Sequence, residues 1–201
     1  MKMAVLASGY GSNLQAIMDA VDRGQITGSL ELVLSDNQNA YALERAKNNG
    51  IEALYLDPDD YENRIAYDKA LVARLQEKKI ELVILAGFMR VLSPVFIKEY
   101  RGRIMNIHPS LLPAFPGVNG VGQALAYGVK VSGCSVHFVD EGLDEGPIIL
   151  QEAVPVFDHD TEESLQQRIH EVEHRLYPRA IQLFIEGKLR LEGRKCLINE
   201  N

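Results

Sequence analysis

Met3-Ala4-Val5-Leu6-Ala7-Ser8-Gly9-Tyr10-Gly11-Ser12-Asn13-Leu14 reads as a short strand, a glycine turn and the start of a helix. The apolar run Met3–Ala7 is too short for a helix and ends at turn residues, as a buried parallel strand does. Past the turn, Leu14, Ile17, Met18 and Val21 fall at i, i+3, i+4 and i+7, one face of a helix, and Gly24 is a fitting stop. Glycines allow the sharp turn, and the unpaired N–H groups of a helix start face any anion that docks there. Ser12 and Asn13 add side-chain donors. A dinucleotide fingerprint would carry a third glycine where Leu14 stands, so a single phosphate is favoured. Asp36, after the second apolar run, sits where a ribose-binding acid would in the dinucleotide alternative. A strand-to-helix turn that binds nothing is the plain structural alternative.

The same rhythm continues outward. Leu30–Leu34, Ile51–Leu56, Leu82–Ala86 and Ile104–Ile107 are further short apolar runs. Between them, helices are predicted over Asn39–Asn49, closed by Gly50, and over roughly Tyr61–Lys79, while Ser93-Pro94 reads as a helix start. Alternating strands and helices predict an α/β fold, a Rossmann-like doubly wound, mostly parallel sheet with helices on both faces. After His108, Pro109, Pro113, Pro116 and Gly117 mark an irregular loop, followed by a short helix near Gln123–Tyr127 ending at Gly128. Ser132–Val139 places Cys134, Val136 and Phe138 on alternate positions, as in a strand, and Ile148–Val156 is another strand candidate. Asp160, with Glu163 three residues on, opens a long helix ending near Gly187. Without linker, repeat or low-complexity segment, 1–201 reads as one domain, with a phosphate-binding half over 1–100 and a half over 101–201 that completes the site.

The chain has 201 residues, 46% of them hydrophobic, which fits a folded globule. Its net charge is −7 and it carries no basic run, so a nucleic-acid partner is not expected. The 2 cysteines, Cys134 and Cys196, have no metal-ligand spacing and make no disulfide framework, which suits a reducing compartment. The N-terminal apolar run is too short for a signal peptide, and no stretch is long and apolar enough to span a bilayer. A cytoplasmic protein is expected.

Two more constellations carry chemistry. In Asn106-Ile107-His108-Pro109, alternation puts Asn106 and His108 on one face at the carboxyl end of a strand, where open α/β sheets bind ligands. An amide there can donate to a developing oxyanion and an imidazole can move protons; a satisfied structural histidine is the alternative. The tight connection from Asp140 to Pro147 gathers Asp140, Glu141, Asp144 and Glu145. One of them could orient His108 and stabilise its protonated form. A solvated acidic turn or a cation site is the alternative, though the spacing is not that of a calcium loop.

Asn106–Pro113, Gly133–Val139 and Asp140–Pro147 together resemble the folate-dependent formyltransferases. The resemblance covers nearly the whole chain and includes Ser8–Leu14, Ser35-Asp36-Asn37, Ala86–Ser93 and Glu173-His174-Arg175-Leu176-Tyr177-Pro178. The Asn-x-His-Pro and Leu-Asp-x-Gly-Pro elements mark the wider family. The Gly-Ser-Asn turn and the Glu-His-Arg-Leu-Tyr-Pro run point to its purine-synthesis branch. The resemblance implies formyl transfer from 10-formyltetrahydrofolate, as co-substrate, to the amine of glycinamide ribonucleotide, with no metal and with no membrane or nucleic-acid partner. A monomer or weak homodimer is expected. The resemblance assigns Asn106, His108 and Asp144 to catalysis, Gly11, Ser12 and Asn13 to the substrate phosphate, and Glu173 to its ribose end. Arg64 and Met89, Arg90, Val91 and Leu92 would help hold the folate, with Asn106, Asp140, Glu141 and Asp144 lining its pterin pocket. An exposed helix charge is the alternative for Glu173, and a strand end with buried apolar residues is the alternative for Met89–Leu92.

One stretch departs from the family. Val121 in Val118-Asn119-Gly120-Val121-Gly122-Gln123 stands where the family usually has a histidine, and the glycines predict a more mobile folate-covering loop. Three other functions share parts of this pattern. A formyltransferase for initiator methionyl-tRNA would need an added RNA-binding region and positive charge. A formyltetrahydrofolate hydrolase generally carries a further N-terminal regulatory domain. A non-catalytic binder of a phosphorylated metabolite would need only the turn.

Overall fold

The computed structural model describes residues 1–199. Its chain forms two compact units, Met1–Met105 and a second that begins at Asn106.

The first unit alternates strands and helices: β1 (Lys2–Leu6), α1 (Ser12–Asp22), β2 (Ser29–Ser35), α2 (Tyr41–Asn48), β3 (Glu52–Tyr55), α3 (Arg64–Glu77), β4 (Leu82–Leu85) and α4 (Pro94–Glu99). β1 pairs in parallel with both β2 and β4, and β2 with β3. Chain order runs outward from β1 to β3 and then returns to β4 on the other side of β1. That reversal is a topological switch point, the place where open α/β sheets leave a crevice at the carboxyl ends of their strands. β1 and β4 carry Met3, Val5, Leu6, Leu82, Val83 and Ile84, all buried, as expected of parallel strands covered on both sides.

β5 (Ile104–His108) leads into the second unit, which continues with α5 (Gly120–Tyr127), β6 (Val131–Phe138), β7 (Ile148–Pro155), α6 (Glu162–Ile185), β8 (Leu189–Glu192) and β9 (Lys195–Ile198). β6 and β7 form an antiparallel pair, and α6 packs on both. Seven strands hydrogen-bond in the order β3-β2-β1-β4-β5-β6-β7, and β8 with β9 forms a separate hairpin. The result is the Rossmann-like, mostly parallel α/β sheet with helices around it.

Boundaries differ from expectation for local reasons. α2 begins at Tyr41, not Asn39, because Ala40 is extended as its N-cap. α3 begins at Arg64, because Asn63 caps it by accepting a hydrogen bond from the Ala66 N–H at 3.0 Å. α6 is capped by Thr161 rather than Asp160. Thr161 and Ser164 exchange side chain-to-backbone hydrogen bonds in a capping box. Asp160 instead binds Arg168 through both carboxylate oxygens at 2.8 and 2.9 Å. Pro178 lies inside α6 without ending it. Among the described residues no helix is long and apolar enough to cross a membrane.

Candidate active site

In the first unit, the turn after β1 is held by its neighbours. The Ser8 hydroxyl donates to Asp36 at 2.5 Å and accepts from the Met89 N–H at 2.9 Å, while the Ser8 N–H donates to the Gly87 carbonyl at 3.0 Å. Asp36 thus fastens the loops at the switch point. Gly11 is the N-cap of α1 at φ 75°, ψ 36°, and no side chain caps that helix. A Cβ on Gly11 would lie 2.9 Å from the Ala42 Cβ, so both the backbone angle and the packing require glycine here. Ser12 and Asn13 are the first residues of α1, where backbone N–H groups lack intrahelical acceptors.

The Met89–Leu92 segment is a loop, because β4 ends at Leu85. It is not the buried strand end of the structural alternative: Met89 and Val91 are 76% and 59% exposed, and only Leu92 is buried. The Arg90 guanidinium lies 5.1 Å over the Tyr67 ring. Arg64 is exposed at the start of α3.

In the second unit, β5 delivers Asn106 and His108 on one side of the strand, with His108 only 5% exposed. His108 Nδ1 is 3.4 Å from Asp144 Oδ2. Its Nε2 lies 2.7 Å from the Phe115 carbonyl, and since a carbonyl only accepts, that nitrogen carries a hydrogen. The Asp144 side chain is 10% exposed, accepts the Gly117 N–H at 2.8 Å, and stands on a backbone at φ 54°. Left-handed backbone at a non-glycine residue is uncommon and concentrates at functional sites.

A residue that the sequence reasoning passed over completes the cluster. His137 Nδ1–H donates to the Phe138 carbonyl at 2.9 Å, leaving Nε2 as an acceptor 3.3 Å from the Asn106 amide nitrogen. Burial pushes the His137 pKa below its usual value, against the opposing pull of Asp144, whose Oδ1 is 3.6 Å away. His137 therefore works as a neutral ring that fixes how the Asn106 amide points. Its signal was present: β6 is buried on both faces, and a histidine there beside an acidic turn needs partners.

Around this cluster, Asp140 Oδ1 accepts the Gly142 N–H at 3.0 Å, and Glu141 is exposed. A Cβ on Gly146 would fall 1.7 Å from the Phe138 carbonyl oxygen, so only glycine lets the acidic turn return against β6. Glu173 is 3% exposed on α6, not the solvated helix charge of the structural alternative. With burial as the larger cause, the Glu173 charge helps push the Cys134 thiol up to about 12.

Of the stretch around Val121, residues 120–123 are helical. α5 starts at Gly120, and the Asn119 side chain caps it by accepting from the Gly122 N–H at 3.0 Å. Val121 is buried. A Cβ on Gly120 would meet His108 Nε2 at 3.2 Å and the Phe115 carbonyl at 3.3 Å. Its absence lets backbone cover the histidine closely.

Among the described residues, no group of three or more His, Cys, Asp or Glu side chains is arranged to hold a metal ion.

The model of a family described as formyl transferase matches residues 1–181. Phosphoribosylglycinamide formyltransferase of Bacillus subtilis is 46% identical over 180 residues, which are 90% of this chain and 92% of that protein. Trifunctional purine biosynthetic protein adenosine-3 of Drosophila melanogaster is 50% identical over 188 residues, 92% of this chain; the chain spans only 14% of that protein's length. The crystal structure of glycinamide ribonucleotide transformylase 1 from Symbiobacterium toebii superposes with a TM-score of 0.99 at 53% identity, covering 100% of this chain and 94% of that one.

Proposed function

The chain belongs to the formyl transferase family, and we propose that it moves a formyl group from 10-formyltetrahydrofolate to the amine of glycinamide ribonucleotide. The observation that carries this reading is the His108–Asp144 pair at 3.4 Å with the Asn106 amide beside it, aimed by His137.

The folate supplies the formyl group. The substrate amine forms a bond to its carbon, the formyl oxygen gains charge, and that charge needs donors. Asn106 has two amide hydrogens; His137 accepts one, and the other is available to the oxygen. His108 offers Nε2–H to the same oxygen once the Phe115 carbonyl gives way, since catalytic hydrogen bonds often tighten only when substrate is bound. Asp144 holds the ring from the Nδ1 side and accepts the proton lost by the amine, directly or through a water. A proton delivered to the folate nitrogen completes the exchange as the old carbon–nitrogen bond breaks.

The remaining roles are those that the family resemblance implies, and what each side chain offers is compatible with them. Gly11, Ser12 and Asn13 take the substrate phosphate at the uncapped start of α1. Glu173, a buried carboxylate, accepts from the ribose hydroxyls. The exposed apolar side chains Met89 and Val91 suit a flat ring system, Leu92 is buried beside them in sequence, and Arg64 and Arg90 suit the carboxylates of a folate. Asp140 and Glu141, with Asp144, present acceptors to a pterin. The same reading has the protein act in the cytoplasm on small molecules, as one domain and as a monomer or weak homodimer.

The test is an absorbance assay for tetrahydrofolate release, with and without glycinamide ribonucleotide. Release that requires glycinamide ribonucleotide is expected. Release without it would make the protein a hydrolase, and binding without release would make it a non-catalytic binder.

A further inference from the structure

The turn that we assign to phosphate is gripped from outside by a residue that the assignment does not use. Gly9, Tyr10 and Gly11 each turn their carbonyl toward a donor: the Ala42 N–H takes Gly9 at 3.1 Å, Arg45 Nε takes Tyr10 at 2.9 Å, and the Gln15 N–H takes Gly11 at 3.0 Å. Two of these three donors come from α2, and one of those is a side chain. A carbonyl that faced an incoming anion would repel it, so fixing these oxygens decides whether the turn presents donors or acceptors.

Arg45 is itself tightly placed. Its Nη1 donates to Gln15 Oε1 at 2.9 Å. Its guanidinium lies 4.5 Å over the Tyr10 ring and 4.7 Å over the Tyr41 ring, and the two rings stack with centroids 5.4 Å apart. Its Cδ lies 3.5 Å from where a Gly11 Cβ would stand. Both of its hydrogen-bond acceptors are neutral. Among the described residues Arg45 makes no ion pair, whereas Arg74, Arg168, Arg175 and Arg190 each pair with a carboxylate. Its charge therefore stands beside the turn with two aromatic rings, and no carboxylate in ion-pair contact, against it among the described residues.

We propose that Arg45 is the positioning residue of the phosphate turn, pinning the Tyr10 carbonyl away from the ligand while adding a fixed positive charge next to it. Lysine cannot replace it fully, because the planar fork makes the two directed hydrogen bonds and lies against the aromatic rings. The inference rests on the assignment of the turn to a phosphate, and the test separates the two.

The test compares wild type with Arg45→Met, Arg45→Lys and Tyr41→Ala. Steady-state kinetics are measured for glycinamide ribonucleotide and for formyl folate, and calorimetry measures binding of ribose 5-phosphate. Arg45→Met is expected to raise KM for glycinamide ribonucleotide about tenfold and to weaken ribose 5-phosphate in parallel, changing kcat and the folate KM far less. Arg45→Lys recovers part of the loss through charge alone, and Tyr41→Ala costs less than Arg45→Met. If the wild type binds ribose 5-phosphate but transfers no formyl group, the reaction assigned above fails while a weaker phosphate affinity in Arg45→Met upholds this inference. Unchanged KM and ribose 5-phosphate affinity in a folded Arg45→Met would overturn it. So would an equal rise in both KM values together with a lowered Tm, which is the mark of a merely structural role. A wild type that binds no phosphate ligand also overturns it.

Discussion

The turn at Gly9–Asn13 and the histidine cluster beyond β5 do different jobs with different kinds of sequence. The turn is local: a strand, two glycines and a helix start, contiguous in the chain and held by the next helix. The cluster is assembled from distant parts, with Asn106 and His108 from β5, His137 from β6 and Asp144 from the turn after it. The turn offers backbone donors at an open helix end. The cluster hides its groups: His108 and His137 are buried and Asp144 nearly so. Backbone donors need only the right φ and ψ, so a short motif specifies them. A histidine–carboxylate pair at a stated distance needs the whole sheet edge to be in register.

If that contrast holds, damage to the cluster is chemical and damage to the turn appears in substrate affinity. The largest effect is expected from His108→Ala, a fall in kcat of about a hundredfold or more with a folded protein, measured by initial rates and circular dichroism. A change confined to KM would erase the distinction. Next comes His137→Leu, which leaves the Asn106 amide and the Phe138 carbonyl without their partners. A kcat loss of about tenfold and a stability loss of about 1–3 kcal/mol are expected, read by kinetics and urea unfolding. Unaltered kcat would show that Asn106 needs no aiming.

In the turn, Gly11→Ala meets both a positive φ and the Ala42 side chain at 2.9 Å. About 1–2 kcal/mol of stability and a raised KM for glycinamide ribonucleotide are expected, with kcat the least affected quantity.

The smallest effect is on pH dependence. The His137 pKa is held below its ordinary 6.5 in the folded chain by burial, so the unfolded chain binds the proton more readily. Stability from this source is complete above about pH 6.5 and declines as pH falls below it. Asp160, held well below 3.8 chiefly by the Arg168 hydrogen bonds, acts in the same direction at lower pH, its contribution lost as pH falls below that value. Urea midpoints at pH 7.5 and 5.5 should differ more in wild type than in His137→Leu; equal differences would contradict the buried neutral ring.

Most of the sheet was legible because buried parallel strands and amphipathic helices write their periods directly into the chain, as Met3–Ala7 and the Leu14 face do. What escaped was decided by contacts across the fold. The glycines of 120 and 122 looked like slack, yet a Cβ on Gly120 would crowd His108 Nε2 at 3.2 Å and the Phe115 carbonyl at 3.3 Å. The β8–β9 hairpin drew no notice because its strands are short and largely exposed, with little apolar alternation. Asp160 resembled a helix cap, but Arg168 claims it and Thr161 takes the cap. In the site, Asn106 and His108 stood out by their place at a strand end. Nothing local singled out Asp144 among four neighbouring carboxylates; only the family resemblance did. His137 lay between the alternate strand residues taken to face inward and was passed over.

The central claim is that His108 and Asp144 act as one unit. A double-mutant cycle on turnover, with His108→Ala, Asp144→Ala and the pair, tests it directly. If the two act together, the double variant is scarcely slower than either single one. If the two losses multiply, the carboxylate and the ring work independently and the account is wrong.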